Sequence, residues 1–148
     1  MRNLVENKKA RFNYEILETF EAGMELFGFE VKSLRAGHGS LEGAFVGIRG
    51  GEAYLLNATI PPYQPKNVPR EYDPLRARRL LLTKKEIARI ASFERQKHLT
   101  IIPISVYHKK RNLKLSIAIA RGKKKFDKRE IIKRRETDRE VRRSLKNF

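Results

Sequence analysis

Leu99-Thr100-Ile101-Ile102-Pro103-Ile104-Ser105-Val106-Tyr107 and Leu113-Lys114-Leu115-Ser116-Ile117-Ala118-Ile119-Ala120 flank the polar stretch Lys109-Lys110-Arg111-Asn112. Two β-prone, largely apolar runs around a polar turn predict an antiparallel pair buried in a core. The C-terminal segment beyond this pair has the opposite character. Residues 121–148 carry 13 Lys/Arg against 5 Asp/Glu and little that is apolar. Such a segment buries too little apolar surface to offset its own ordering entropy. It is expected to be disordered alone and to order against a polyanion.

Working back from the pair, Thr83-Lys84-Lys85-Glu86 is a capping box opening a helix that is expected to run to about His98. Arg76 to Leu82 alternates basic and apolar residues and reads as a strand. Pro61, Pro62, Pro65, Pro69 and Pro74 mark an irregular connection, long enough to suggest a function. Before it, Ala44–Ile48 and Ala53–Asn57 flank Arg49-Gly50-Gly51-Glu52, a tight hairpin signal because both central residues of such turns need φ > 0. Met24, Phe27, Val31 and Leu34 recur at helical spacing, giving a short helix closed by Gly37 and Gly39. Phe12, Tyr14 and Ile16 alternate into Leu17-Glu18-Thr19-Phe20, a first strand preceded by the basic entry Asn7-Lys8-Lys9-Ala10-Arg11. Five or six short strands with few helices predict a mainly β fold with flanking α-helices. The expected architecture is a small closed antiparallel barrel of oligonucleotide-binding type, because closure removes exposed edges. Residues 1–120 would form one RNA-binding domain and residues 121–148 a basic tail.

Charge narrows the partner. The formal net charge is +17, and residues 1–120 contribute 21 Lys/Arg against 12 Asp/Glu, so the body is basic as well as the tail. That favours a binding surface for nucleic acid. A membrane surface is disfavoured, because no basic amphipathic helix carries Trp or a continuous Leu/Phe face. No stretch approaches the ~18 apolar residues of a membrane span, and residues 1–6 lack a signal-peptide apolar core. A soluble, cytoplasmic protein is expected. With no Cys there are neither disulfides nor thiolate metal sites.

Catalysis has little support. His38, His98 and His108 lack metal-site spacing, and Glu21, Glu25 and Glu30 have no accompanying nucleophile. Neither a P-loop nor a nucleophile elbow is present. Neither cofactor nor metal is expected, and no catalytic residue. Basic positions instead interleave with aromatics: Lys8, Lys9 and Arg11 lead into Phe12 and Tyr14, and Lys123, Lys124 and Lys125 into Phe126. Cations neutralise phosphates while rings stack on unpaired bases. In the tail, Glu130/Arg134 and Asp138/Arg142 stand i, i+4 with the acid first, which supports a helix only once the segment is held.

The segments Asn7-Lys8-Lys9-Ala10-Arg11, Phe20-Glu21-Ala22-Gly23, Glu30-Val31-Lys32-Ser33-Leu34-Arg35-Ala36-Gly37, Asp73-Pro74-Leu75-Arg76 and Gly122-Lys123-Lys124 resemble, in this order, the bacterial small protein B family. Its members partner transfer-messenger RNA in the rescue of stalled ribosomes. The resemblance implies an oligonucleotide-binding barrel and a non-enzymatic adaptor; a monomer is expected because no exposed apolar stripe in the sequence argues for a dimer. That adaptor binds the tRNA-like domain of transfer-messenger RNA and works indirectly with elongation factor Tu. It implies an RNA face including Asn7, Lys8 and Glu21, with Lys123 and Lys124 near it. To that face we add Arg11, Phe12, Lys32, Arg35, Arg76, Arg78 and Lys125. By the same likeness the tail enters the ribosome's empty messenger channel and decoding centre, with Phe126, Asp127, Lys128, Arg129, Ile132, Lys133 and Arg135 as contacts. Phe126 stands where some relatives have His; stacking survives that change and a charged hydrogen bond does not. A structural rRNA-binding protein with the same barrel and tail is the competing reading, and a metal-dependent nuclease a third.

Overall fold

The computed structural model describes residues 3–64, 66 and 68–123. Its elements in chain order are β1 (Asn3–Glu6), α1 (Ala10–Asn13), β2 (Tyr14–Met24), α2 (Gly28–Arg35), β3 (Phe45–Arg49), β4 (Glu52–Leu56), β5 (Arg78–Leu81), α3 (Lys84–Glu94), β6 (Leu99–Lys109) and β7 (Asn112–Gly122). All seven strands join one antiparallel sheet in the order β1-β6-β7-β2-β5-β4-β3.

The β6–β7 pair forms the spine of the sheet, as its sequence predicts. Ile101, Val106, Leu113, Leu115, Ile117 and Ile119 enter the main core with Leu34 of α2, Ile90 of α3 and residues of every other strand. The opposite face near the N-terminal half of β6 is also covered. There Ile102, Ala118 and Ala120 pack with Ala10 of α1, flanked by Tyr14, Ile16 and Ile104. Small alanines let the one-turn helix α1 lie close to the sheet. Burial on both faces explains why this part of β6 reads as a continuous apolar run rather than an alternation. Pro103 cannot donate to the ladder, and the register slips between Pro103 and Ser105.

The Gly50-Gly51 hairpin holds, with φ of 58° and 77° at the two turn residues. So does the Thr83 capping box: Thr83 Oγ1 accepts from Glu86 N–H while Glu86 Oε1 accepts from Thr83 N–H. Four expectations change. The helix expected from Met24 begins only at Gly28, because Met24 ends β2 and Phe27 is the N-cap of α2. The first strand begins at Tyr14, not Phe12, because residues 10–13 form α1, and β1 precedes it unforeseen. Helix α3 ends at Glu94 rather than near His98, which adopts φ 74° in the turn before β6. The expected closure of the barrel is also not made by hydrogen bonds. Among the described residues no backbone pairing joins β3 to β6, and Glu94 of α3 instead accepts from Ile48 N–H of β3 at 2.8 Å. A slot of about 280 Å³ lies there, bordered by Val46 and Ile48 on one side and Leu99 and Ile101 on the other. Among the described residues no helix is long and apolar enough to cross a membrane.

Candidate nucleic-acid interface

The N-terminal basic entry gains its position from the sheet edge. Where β1 leaves β6, Asn7 N–H donates to Ile104 O at 2.8 Å and Asn7 Nδ2 to Pro103 O at 2.9 Å. The amide thus uses a carbonyl beside the slipped register. That anchor starts α1, which carries Arg11 and Phe12, and leaves Lys8 and Arg11 exposed. Lys123 returns from the end of β7, its N–H donating to Asn13 O and its Nζ to Arg11 O, both at 2.9 Å. A cation at the last carbonyls of α1 is electrostatically favoured. Asn7, Lys8, Arg11 and Lys123, distant in sequence, are therefore neighbours.

Beside them lies a groove of about 660 Å³ whose walls include Asn7, Lys8, Arg11, Ser105, Tyr107 and Ser116. Its floor is made by β6 and β7, through Ile104, Ser105, Tyr107 and Ser116. Register places Glu21 opposite Ser116 and Ser116 opposite Ser105; one step on, Gly23 stands opposite Lys114 and Lys114 opposite Tyr107. Glu21 of β2, beside Ser116 across the ladder and next to the groove, is held by both oxygens. Tyr107 Oη donates to Oε2, and Lys109 Nζ donates to Oε1 at 2.9 Å. The Tyr107 hydrogen bond, then that of Lys109, keeps the Glu21 carboxyl below its usual range. Burial and the Glu21 carboxylate push the Tyr107 phenol up to about 12.

The remaining predicted cations divide. Lys32 and Arg35 are exposed on α2 and do not line the groove; Arg35 Nη2 donates to Arg111 O at 3.3 Å in the β6–β7 turn. Arg78, expected on the RNA face, is corrected: it is fully buried, with 0% exposure. Its Nε and Nη2 donate to Glu30 Oε2 at 3.0 and 2.8 Å, Nη1 to Ala58 O at 2.7 Å, and Nη2 also to Pro74 O at 2.9 Å. With its donors turned inward, it has none to offer a phosphate. Arg76 belongs to the same knot, bonded to Glu30 and stacked 4.1 Å from the centre of the Phe27 ring. Tyr72 donates to Glu30 Oε2 at 2.9 Å and meets Phe29 edge-on. Burial by itself would raise the Glu30 carboxyl. Arg76, the Phe27 N–H, Arg78 and Tyr72 outweigh it and hold the group below the carboxylate range. Two of the segments that carry the family resemblance, those around Glu30 and Asp73, thus meet in a buried ionic knot.

Lys124, Lys125, Phe126, Asp127, Lys128, Arg129, Ile132, Lys133 and Arg135 lie outside the described residues. Sequence reasoning missed Ser105, Tyr107, Lys109, Lys114 and Ser116. The signal was present: Lys114 and Ser116 alternate with Leu113, Leu115 and Ile117, which puts both polar side chains on one face. Among the described residues no group of His, Asp and Glu could hold a metal ion.

Fold and groove together define a class: a small antiparallel β protein with a cation-rimmed polar groove on the outer face of its sheet. The model of the SmpB protein family matches residues 4–147. The chain is 48% identical over 143 residues to the SsrA-binding protein of Thermosynechococcus vestitus, covering 97% of this chain and 94% of that one. It is 50% identical to the SsrA-binding protein of Latilactobacillus sakei subsp. sakei, covering 97% and 91%. A solved structure described as "tmRNA-SmpB: a journey to the center of the bacterial ribosome" aligns with a TM-score of 0.68 at 47% identity, over 81% of this chain and 84% of that one. This chain belongs to the SmpB family.

Proposed function

We propose that this protein binds the tRNA-like domain of transfer-messenger RNA and brings it to stalled ribosomes for trans-translation in the cytoplasm. It acts as an adaptor with no chemistry of its own. The observation that carries this is the near full-length likeness to SsrA-binding proteins at 46–50% identity. The groove and its surroundings give it a physical seat: Lys8 and Arg11 in the groove wall and Lys123 beside Arg11 for phosphates, and Glu21, held by Tyr107, for discrimination. An acid repels a phosphate backbone, so Glu21 suits the site as a fixed polar group that either faces a base edge or hydroxyl or holds a neighbouring side chain in place. Residues 1–120 are the recognition domain, a barrel of oligonucleotide-binding type. The tail from Phe126 would enter the empty messenger channel, a space that it and messenger cannot share.

The test compares binding of the tRNA-like domain with that of a scrambled RNA of equal length at about 0.15 M salt, where non-specific binding is only ~10⁻⁴–10⁻⁶ M. The full chain is set beside a chain ending at Lys123. Both should prefer the tRNA-like domain, and Glu21→Ala should erode that preference. A preference that is absent, or that vanishes with the tail, would instead indicate a general rRNA-binding protein.

A further inference from the structure

Recognition through Lys8, Arg11 and Glu21 leaves Tyr107 without a task, although it borders the groove and is only 8% exposed. A phenol has one hydrogen to donate and lone pairs to accept. The Tyr107 hydrogen is committed to Glu21 Oε2, and Lys109 holds the other carboxylate oxygen, which fixes Glu21 in turn. With its pKa pushed up to about 12, the phenol keeps that hydrogen at neutral pH. What Tyr107 can offer a ligand is therefore an acceptor only. Lys8 and Arg11, which line the same groove, supply the charges for phosphate.

We propose that Tyr107 is a specificity-determining contact: its oxygen, aimed by Glu21 and Lys109, accepts a hydrogen bond from an RNA donor, either a ribose 2′-hydroxyl or a base amino group. This rests on the tRNA-like-domain reading and deepens it. Lys109 and Glu21 are positioning residues for that acceptor. A cation there serves the acid, and the acid serves the phenol. The arrangement explains why a carboxylate sits on an RNA-binding face.

The experiment uses the full chain and the tRNA-like domain, titrated at several salt concentrations. Tyr107→Phe should weaken binding about 3- to 12-fold, the worth of one neutral hydrogen bond. The salt dependence should keep its slope, because no phosphate contact is lost. A loss of about twofold or less overturns the inference, and so does a loss accompanied by a shallower slope. Glu21→Gln is the second variant. Removing a negative charge near RNA should tighten binding if the acid is only a repulsive neighbour. Weaker binding is expected here, because the glutamine amide can donate to Tyr107 and occupy the acceptor; tighter binding overturns the inference. A 2′-deoxy probe separates the two donors: the gap between wild type and Tyr107→Phe closes for a ribose hydroxyl and persists for a base amine. If wild type shows no preference for the tRNA-like domain, the proposed function falls. Tyr107 is then judged by the same comparison on the scrambled RNA.

Discussion

Glu30→Gln isolates what the buried knot contributes. The side chain of Glu30 is fully buried and accepts from Phe27 N–H, Tyr72 Oη, Arg76 and Arg78. Glutamine keeps the shape but removes the charge, and its amide would face the donors of a guanidinium that is itself 0% exposed. Removing one partner of a buried ion pair typically costs about 3–5 kcal/mol, because the other charge is left uncompensated. At roughly 3–5 °C per kcal/mol for a domain of this size, the melting temperature should fall by about 10–20 °C. Thermal and urea unfolding followed by circular dichroism would read this, with an unchanged m-value indicating a stability effect alone. Arg78→Met in the same background should recover part of the loss by removing the orphan charge. Acid should discriminate as well. Glu30 titrates lower in the folded protein than in the unfolded chain. Its contribution is therefore whole above the unfolded value of about 4.3 and drains as pH falls below that toward the lower folded value. The wild type should lose this increment on acidification and Glu30→Gln should not. A melting temperature within about 3 °C of wild type at neutral pH would refute the reasoning, since the Arg78 charge would then be compensated without the carboxylate.

Gly50→Val should destabilise by about 1–2 kcal/mol, read as a lower urea midpoint, because a β-branched residue is strained at φ 58° even though its Cβ would meet open space. Lys8→Ala should weaken binding of specific and scrambled RNA alike and make the salt dependence shallower by about one phosphate contact. Glu42→Gln should act the other way. Lys9 Nζ now donates to Glu42 at 2.7 Å across an exposed pair, and its release should tighten RNA binding and steepen the salt dependence.

The spine of the fold was legible because its signals are local. The β6–β7 runs, the Gly50-Gly51 turn and the Thr83 capping box each announce themselves within a short stretch of chain. What was not legible depends on tertiary contact. β1 is four residues long and exists by pairing with β6, while α1 has one turn and lies on Ala118 and Ala120. The same holds for the candidate site. Asn7, Lys8, Arg11 and Glu21 could be named from the resemblance and the pattern of cations and rings. Arg78 was misplaced because an alternating strand shows which residues share a face, not which face is inside. Its partner Glu30 lies 48 residues away, and only the fold brings the two together.

Glu30 and Glu21 take nearly the same company: a carboxylate, a tyrosine hydroxyl and a cation, with Tyr72 and Arg78 in one case and Tyr107 and Lys109 in the other. Their surroundings differ. The first group is fully dry, where an unmet donor or charge is expensive and the set acts on stability. The second opens onto a groove, where water screens the charges and the set has little to give to folding. The two tyrosines should therefore part company under the same substitution. Tyr72→Phe deprives Glu30 and Arg78 of a partner in a dry site and should cost about 1–3 kcal/mol in unfolding, with RNA affinity at saturating folded protein unchanged. Tyr107→Phe should leave the melting curve nearly in place and weaken specific RNA binding. Equal effects of both on stability, with neither changing RNA binding, would mean that the groove triad is a second structural knot and that recognition lies elsewhere on the protein.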